Sequence, residues 1–248
     1  MSEGTNDMKV GILSDIHGNR TACKAVLADM AENHVDSVIL LGDIIDYGPH
    51  SNQVIQLLRE FRGNVLCNIY GNHEKAIISH RYERFSSDRG RQCAQYTRSM
   101  LNAASWDYIK NVMTPAGKTE LTIESKKILV IHGCLNDNYW KPIKPNDNLE
   151  EYDAYDYVFS GHSHLPHFFE IYYHTEDPVH RNKKKTTFVN PGSVGQPRNL
   201  CPYAQYVIWD TNNDSFDMKK IIYDIEREQK CFSDCVDVFY KNRLEEGI

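Results

Sequence analysis

The feature that most constrains this fold is a series of short apolar runs, each of which stops at a polar turn. The runs KVGILS, DSVILLG and NVLCNIYG alternate with RTACKAVLADMAENH and NQVIQLLREF, whose apolar residues have helical spacing. Continuous apolar strands of this kind are typical of a sheet that is buried under helices. The first third of the chain is therefore predicted to fold in the order β-α-β-α-β.

The rest of the chain changes character twice. Residues 75 to about 117 are polar and helix-like, and we predict that they form a small helical lid insertion. The sequence then becomes rich in strands, with ELTIE and KKILVIHG as a hairpin, followed by YVFSG, HFFEIYYH, KKTTFVN, AQYVIWD and DSFDMKKIIYD. One terminal helix is expected around residues 225–239. Residues 1–7 are predicted to be a flexible tail, and residues 8–248 a single domain.

Composition excludes several classes of protein. The 248 residues are 41% hydrophobic and 25% charged, and the formal net charge of −6 argues against general binding to nucleic acid or to an anionic membrane. The seven cysteines are scattered, which favours reduced, structural thiols. MSEGTNDMKV has no basic segment before a long apolar region, and there is no run of 18 apolar residues. A cytoplasmic location is therefore expected.

Histidine, aspartate and asparagine are concentrated at the ends of the predicted strands. In sheets flanked by helices, binding sites form beyond the carboxyl ends of the strands, which bring together residues that are distant in sequence. In Asp15-x-His17 and His162-x-His164 the i, i+2 spacing directs both side chains to one side of an extended segment. The residues at these strand ends are Asp15, His17, Asp43, Asp46, Asn72, His73, His132, His162 and His164.

These side chains form a nitrogen and oxygen ligand set. Such a set suits Mn, Fe, Zn or Ni. One tetrahedral ion needs fewer ligands than the chain offers, whereas two ions bridged by one carboxylate would use seven of them. A single Asp-x-His pair or a lone histidine at a strand end is common in loops without a metal. Five such short segments, each at the end of a predicted strand, together predict a metal site.

The motifs SDIHGN, GDIIDYGP, YGNHE, VIHG and GHSH occur in this order and resemble those of the calcineurin-like metallophosphoesterase superfamily. The segment NPGSVGQPR, residues 190–198, is similar to the one that closes the bacterial phosphodiesterase-like branch of that superfamily. The resemblance spans roughly residues 9 to 200. It implies a four-layer α/β/β/α sandwich, with two mixed sheets face to face and helices outside.

The resemblance also implies a division of the ligands between two metal ions. Asp43 would bridge the ions, of which Mn or Fe is favoured, with Zn or Ni as further possibilities. Two cations can generate hydroxide near neutral pH and neutralise charge on a phosphoryl group during in-line attack. The implied ligands are Asp15, His17 and His164 for one ion and Asn72, His132 and His162 for the other.

Two further residues take catalytic roles by the same resemblance. His73 would bind the phosphate and protonate the leaving oxygen, which suits an imidazole because its pKa lies near neutral pH. Asp46 would orient His73 by a hydrogen bond. Glu74, next in the chain, is expected to cap or start a helix.

Position 47 bears on the substrate. Protein phosphatases of the superfamily carry an arginine there, whereas this chain has Tyr47, which cannot make a bidentate, charge-assisted contact with phosphate. Residues 75–100 have a net charge of +4, and they form either a solvated helical face or a lid whose cations meet phosphates. The remaining candidates for substrate contact are Arg81, Tyr82, Arg84, Phe85, Tyr139 and Arg198.

We therefore expect a dinuclear-metal phosphohydrolase that acts on a nucleotide-type phosphodiester or phosphoanhydride, such as diadenosine tetraphosphate. A serine/threonine protein phosphatase or a general phosphomonoesterase is the alternative, and a catalytically inactive binding scaffold is a third hypothesis. The expected partner is a small phosphate-containing molecule, with no stable nucleic-acid complex and no membrane. The sequence leaves the oligomeric state open.

Overall fold

The computed structural model describes residues 8–181 and 183–248, so the predicted tail of residues 1–7 lies outside the described residues. Its elements, in chain order, are β1 (Lys9–Leu13), α1 (Arg20–Glu32), β2 (Ser37–Leu40), α2 (Ser51–Arg59), β3 (Asn64–Asn68), α3 (Asn72–Ser79), α4 (Asp88–Met100), α5 (Ala103–Asn111), β4 (Lys118–Ile123), β5 (Lys126–Ile131), β6 (Tyr157–Ser160), β7 (His167–Tyr172), β8 (Lys185–Asn190), β9 (Ala204–Asp210), β10 (Ser215–Ile221), α6 (Ile225–Gln229) and α7 (Val238–Glu246). Two short 3₁₀ turns lie at Tyr82–Arg84 and Glu150–Tyr152.

The strands form two mixed five-stranded sheets. The first has the order β10-β9-β1-β2-β3, in which β1, β2 and β3 are parallel. The second has the order β4-β5-β6-β8-β7, in which β5, β6 and β8 are parallel. The predicted strands of both halves are confirmed, and so is the α/β fold with two sheets.

The space between the sheets is filled by apolar side chains from both. Ile12 and Ile39 of the first sheet meet Val130 and Phe159 of the second, and Trp209 is almost fully buried among them. A second cluster lies under helices α1 and α2 on the outer face of the first sheet. The outer face of the second sheet is covered by the segment 134–155. Each sheet is thus buried on both faces, which explains the continuous apolar runs.

The prediction of one continuous terminal helix is wrong, because the structure has two helices there, α6 and α7. Between them, Ser233 Oγ accepts a hydrogen bond from Cys235 N at 3.3 Å, and Asp237 Oδ1 accepts one from Phe239 N at 2.9 Å. Serine and aspartate side chains that bind nearby backbone N–H groups compete with helical hydrogen bonds, and Asp237 begins a new helix. No helix within the described residues is long and apolar enough to cross a membrane.

Candidate metal and catalytic site

The predicted ligand residues converge where the parallel strands of both sheets end. Their backbone is unusual: Asp15, His17, Asp43, His162 and His164 all have φ values between 46° and 65°. Residues other than glycine rarely adopt this left-handed conformation, and it is concentrated at functional sites. The turns after β1, β2 and β6 thus contain residues in the locally unfavourable left-handed conformation. This conformation points their side chains toward one another.

Asp15, His17 and His164 form the first group. The ring nitrogens Nε2 of His17 and His164 lie 3.2 Å apart, and Asp15 Oδ1 lies 3.1 Å from His164 Nε2. Each imidazole donates from Nδ1 to a backbone carbonyl, of Ile45 at 3.1 Å and of Gln196 at 2.6 Å. In the neutral rings both Nε2 atoms are therefore lone-pair acceptors, and they face a carboxylate oxygen that has no hydrogen-bond donor.

Asn72, His132 and His162 form the second group. Asn72 Oδ1 lies 3.0 Å from His132 Nε2 and 2.9 Å from His162 Nδ1. His132 donates from Nδ1 to the Leu41 carbonyl at 2.7 Å, and His162 donates from Nε2 to the Trp140 carbonyl at 3.0 Å. The two rings thus present opposite nitrogens, Nε2 of His132 and Nδ1 of His162, to the same amide oxygen.

Asp43 lies between the two groups. Its Oδ2 is 3.8 Å from His17 Nε2 in the first group and 3.3 Å from His132 Nε2 in the second. Asp43 therefore joins the two groups, in which lone pairs of carboxylate, amide and imidazole acceptors face one another and repel. A divalent cation in each group would remove this repulsion, so the donor set fits metal ions. Backbone carbonyls that fix the tautomer of a histidine ligand are common around metals.

Burial and charge act in opposite directions on the pKa values of these groups. Burial lowers the pKa of His162 to about 4 and that of His164 to about 3, so both rings are neutral, as metal ligands must be. Burial would raise the pKa of Asp15 and Asp43, but the neighbouring histidines outweigh it and hold both carboxyls below their ordinary range. Burial also lowers the pKa of His132, yet the charge of Asp43 raises it to about 9.

His73 lies at the start of α3, beside the second group. Its Nδ1 donates to Asp46 Oδ2 at 2.7 Å, and its Nε2 is 3.9 Å from Asp43 Oδ2. Thr97 Oγ1 of α4 donates to the other oxygen of Asp46 at 2.7 Å. The sequence did not single out Thr97, because it lies 51 residues from Asp46 on a helix with no motif.

Glu74 has a larger structural role than the helix cap that the sequence predicted. Its buried carboxylate accepts hydrogen bonds from Gly71 N, which caps α3, and from Asp43, Ile44 and Ile45 N at 2.8 to 3.2 Å. Burial and the charge of Asp43 raise the pKa of Glu74 to about 7. Glu74 therefore ties the start of α3 to the turn after β2, and so places His73 next to Asp43.

A pocket of about 380 Å³ opens onto these side chains. Tyr47 packs in its wall, with its ring centroid 4.5 Å from that of His73 and 4.4 Å from that of Tyr240. Phe85 and Trp140 meet edge to face at 5.4 Å on the other side. The pocket is lined by Asp43, Tyr47, Asn72, His73, Arg84, Phe85, Ser86, Trp140, His162, His164 and Arg198.

Three of the predicted substrate contacts are not among the residues that line this pocket. Arg81 pairs with Glu83 on the surface, at 2.5 Å. Tyr82 packs against the helices over the first sheet. Tyr139 donates to the Pro115 carbonyl. The predicted contacts that do line the pocket are Tyr47, Arg84, Phe85 and Arg198.

Most cations of the helical insertion have other contacts. Arg91 pairs with Asp88, Arg98 donates to the Ile77 carbonyl at 2.7 Å, and Arg89 lies 3.9 Å over the Phe239 ring. Arg84 alone lines the pocket among the arginines of residues 75–117, and it also pairs with Asp137 at 3.2 Å.

Comparisons of this sequence with known proteins agree on one family. The family model for the calcineurin-like phosphoesterase superfamily domain matches residues 8–214. An uncharacterized protein of Methanocaldococcus jannaschii is 26% identical over 96% of this chain and 95% of its own length. The phosphodiesterase YfcE of Escherichia coli is 23% identical over 83% of this chain and 89% of its own.

A solved structure agrees with the sequence comparisons. The metallophosphoesterase of Sphaerobacter thermophilus superposes with a TM-score of 0.74 at 25% identity, over 98% of this chain and all of that one. The range that the family model matches, residues 8–214, contains every acceptor of the two groups described above. The chain belongs to the calcineurin-like phosphoesterase superfamily and is a metal-dependent hydrolase of phosphate esters.

Proposed function

We propose that this protein hydrolyses a nucleotide-type phosphodiester or phosphoanhydride and that it uses two divalent cations. The observation that carries the proposal is the position of His73. One nitrogen of its ring is held by Asp46, and the other points toward Asp43, the carboxylate shared by the two acceptor groups. A proton donor is thus placed beside the point where a phosphoryl group would meet both cations.

The chain's own side chains determine where the cations would bind. Asp15, His17 and His164 would hold one, Asn72, His132 and His162 the other, and Asp43 would contact both. When bound, such ions lower the pKa of water and neutralise charge on a phosphoryl group. Nitrogen and oxygen ligands of this kind suit Mn or Fe, and also Zn or Ni.

His73 would act as the general acid. Since Nδ1 donates to Asp46, a proton on Nε2 faces the pocket and can pass to the leaving oxygen. Asp46 accepts from both His73 and Thr97, and these two contacts hold the ring in one orientation. Asp46 would therefore position the imidazole without contacting the substrate.

The walls of the pocket favour a nucleotide over a phosphopeptide. Trp140 and Phe85 offer aromatic surface for a base, and Arg84 lies 5.2 Å over the Trp140 ring. Tyr47 stands at the position where protein phosphatases carry arginine, so this chain lacks that bidentate phosphate contact. Arg198, on the side of His164, supplies a cation from another direction.

The test is a panel of substrates assayed with added Mn²⁺: diadenosine tetraphosphate, cyclic nucleotides, an aryl phosphodiester, an aryl phosphomonoester and a phosphopeptide. We expect the largest kcat/KM for a nucleotide or diester. Efficient cleavage of the phosphopeptide alone would favour the protein phosphatase, and a protein that binds Mn²⁺ but cleaves nothing would favour the scaffold. Analysis of the products of diadenosine tetraphosphate would distinguish symmetric from asymmetric cleavage.

A further inference from the structure

A carboxylate that belongs to none of the motifs joins the helical insertion to the loop after β5. The Asp137 backbone exchanges two hydrogen bonds with Cys134, at 3.0 and 3.1 Å, and closes a tight turn in this loop. Its side-chain oxygen Oδ1 accepts from Tyr139 N at 3.1 Å and from Trp140 N at 3.0 Å. The other oxygen, Oδ2, accepts from Arg84 Nη2 at 3.2 Å, and Arg84 lies 53 residues away in the chain. Asp137 therefore holds two distant segments together.

These two segments form one wall of the pocket. Arg84 and Phe85 line it from the insertion, and Trp140 lines it from the loop. The Arg84 guanidinium carbon lies 5.2 Å from the centroid of the Trp140 ring, and the Phe85 ring meets that ring edge to face at 5.4 Å. The Trp140 carbonyl accepts from Nε2 of His162, a proposed metal ligand, at 3.0 Å. The contacts of Asp137 thus reach the cation and the largest aromatic ring of this wall.

Asp137 also offsets the charge of Arg84. Burial would raise the pKa of its carboxyl, but the hydrogen bonds from two backbone N–H groups and the charge of Arg84 outweigh it and lower the pKa. The carboxylate is therefore ionised at neutral pH, and it disfavours a phosphate at this wall. A guanidinium that is paired with a carboxylate and lies over an indole still offers a flat face on which a base can stack. The wall is thus suited to the base of a nucleotide and not to its phosphates.

We propose that Asp137 is a positioning residue for a base-binding wall: it holds the Arg84 guanidinium and the Trp140 ring where they receive the base of the substrate. This inference rests on the proposed function, because it concerns the nucleotide part of the substrate. Asp137 is not among the residues that line the pocket, so it acts through Arg84 and Trp140 and not by contact with the substrate. Losing its carboxylate weakens binding of the base and spares the cleavage step.

Adenosine 5′-monophosphate (AMP) and ribose 5-phosphate differ only in the base, so their binding separates the base from the phosphate. Both are titrated by calorimetry into the full 248-residue chain with Mn²⁺. We expect Asp137→Asn to raise the dissociation constant of AMP about fivefold, because the contact with Arg84 is lost while the amide oxygen still accepts from Trp140 N. The affinity for ribose 5-phosphate should not change.

The matched control is Glu83→Gln, which breaks an exposed ion pair with Arg81 at the same turn, outside the pocket. It should change neither affinity, because exposed ion pairs of this kind contribute little. An unchanged affinity for AMP in Asp137→Asn, an equal loss for ribose 5-phosphate, or the same loss in Glu83→Gln would overturn the proposal. So would a wild-type protein that binds AMP no more tightly than ribose 5-phosphate.

Coupling between the two side chains tests whether Asp137 acts through Arg84. Arg84→Met is expected to weaken AMP binding by a similar factor, and the double variant Arg84→Met/Asp137→Asn should bind AMP no more weakly than either single variant. Losses that multiply in the double variant would mean that Asp137 acts independently of Arg84, and they would contradict the proposed role.

Kinetics with Mn²⁺ connect the wall to turnover. For diadenosine tetraphosphate, Asp137→Asn should raise KM about fivefold and leave kcat within about twofold, because binding of the base is weakened while the reacting groups are untouched. A fall in kcat with unchanged KM would place Asp137 in the cleavage step and contradict the proposal. If the wild-type protein cleaves no nucleotide, the proposed function fails, while the AMP titration still decides the base-binding wall.

Folding of each variant is checked by circular dichroism and thermal melting. A merely structural Asp137 would lower the melting temperature and weaken binding of AMP and ribose 5-phosphate alike. If Asp137→Asn does not fold, Arg84→Met carries the same comparison of the two ligands, because the Arg84 side chain is 46% exposed.

Discussion

His73 is supported by a chain of hydrogen bonds that begins at Thr97 and passes through Asp46. Each of the three side chains comes from a different part of the sequence, and all are buried. Burial lowers the pKa of His73, but the charge of Asp43 and the hydrogen bond to Asp46 outweigh this and raise it. The ring is thus kept protonated over a wider pH range than a free imidazole, as a proton donor needs.

Replacing His73 separates catalysis from metal binding. In His73→Asn we expect kcat to fall by about 100-fold or more, because a positioned general acid contributes this much. The metal content should not change, because His73 is not among the seven proposed ligands. Turnover and elemental analysis of the purified variant measure the two effects. Turnover near that of the wild type would remove His73 from the mechanism.

Thr97→Val removes one hydrogen bond to Asp46 and keeps the shape of the side chain. Residues that orient catalytic or metal-binding groups in this way typically contribute about 10-fold or more to activity, and we expect a loss of about 10-fold in kcat. The control is Ser99→Ala, on the exposed face of the same helix, whose hydroxyl donates to the Tyr96 carbonyl. Full activity in Thr97→Val would show that the hydrogen bond between Asp46 and His73 is sufficient to orient both side chains.

At the scale of the element, helix α1 begins shortly after Asp15 and His17, two of the proposed metal ligands, and its start is capped from two sides. Asn19 accepts a hydrogen bond from Ala22 N at 3.0 Å. The carboxylate of Glu228, on α6, accepts from Arg20 N at 3.2 Å and from Thr21 N at 3.1 Å. Negative charge at a helix N-terminus stabilises it. Glu228 therefore holds the β1–α1 turn, which carries Asp15 and His17.

Glu228→Gln should destabilise the protein by about 1 to 3 kcal/mol at pH 7, because charge-assisted hydrogen bonds to the helix start are lost. Burial would raise the pKa of Glu228, but the hydrogen bonds from His50 and Thr21 outweigh it and lower the pKa. A carboxyl with a lowered pKa stabilises the folded state above its ordinary pKa of about 4.3, and this contribution is lost as the pH falls through the folded value.

Urea unfolding at several pH values measures this effect. The difference between wild type and Glu228→Gln should be full at pH 7 and shrink below about pH 4. The control is Glu226→Gln on the same helix, whose carboxylate is exposed and pairs with Lys230 at 2.6 Å; it should change stability little. A pH-independent difference would mean that the charge of Glu228 has no role.

At the scale of the whole molecule, the site joins the two sheets. Asp15 and Asp43 follow strands of the first sheet, whereas His132 and His162 follow strands of the second. The two sheets are also joined by apolar contacts and by hydrogen bonds such as that from His132 Nδ1 to the Leu41 carbonyl, and the buried acceptors lie at this junction. Cations bound there would therefore link the halves and add to the stability of the whole fold.

Mn²⁺ is accordingly expected to raise the melting temperature. A ligand at 100 times its dissociation constant stabilises the folded state by about 2.7 kcal/mol. In a domain of this size each kcal/mol corresponds to about 2 to 4 °C. Scanning calorimetry with EDTA and then with increasing Mn²⁺ measures the shift. His162→Ala should reduce it, and His174→Ala, an exposed histidine, should not. A melting temperature that is independent of Mn²⁺ would argue against metal binding between the sheets.

The strands and the motif residues were predictable because their signals are local. Continuous apolar runs identify central strands such as β1, β2, β5 and β6, and the other strands of the described residues also fall on segments that were predicted as strands. The division of the terminal helix was missed, because its apolar spacing continues across residues 230–237 while Ser233 and Asp237 break the backbone hydrogen bonds. The spacing of apolar residues does not show where side chains compete with the backbone hydrogen bonds of a helix.

By itself, the sequence determined which residues could bind metals and that they follow strands, since ligand chemistry and strand ends can both be read along the chain. The tertiary structure alone decided which side chains meet. It brought Thr97 to Asp46 and the Tyr240 ring onto that of Tyr47, and it paired most cations of residues 75–117 with other partners. The physical reason is distance along the chain: contacts between separate helices and turns depend on how the elements pack, and packing leaves no local pattern in the sequence.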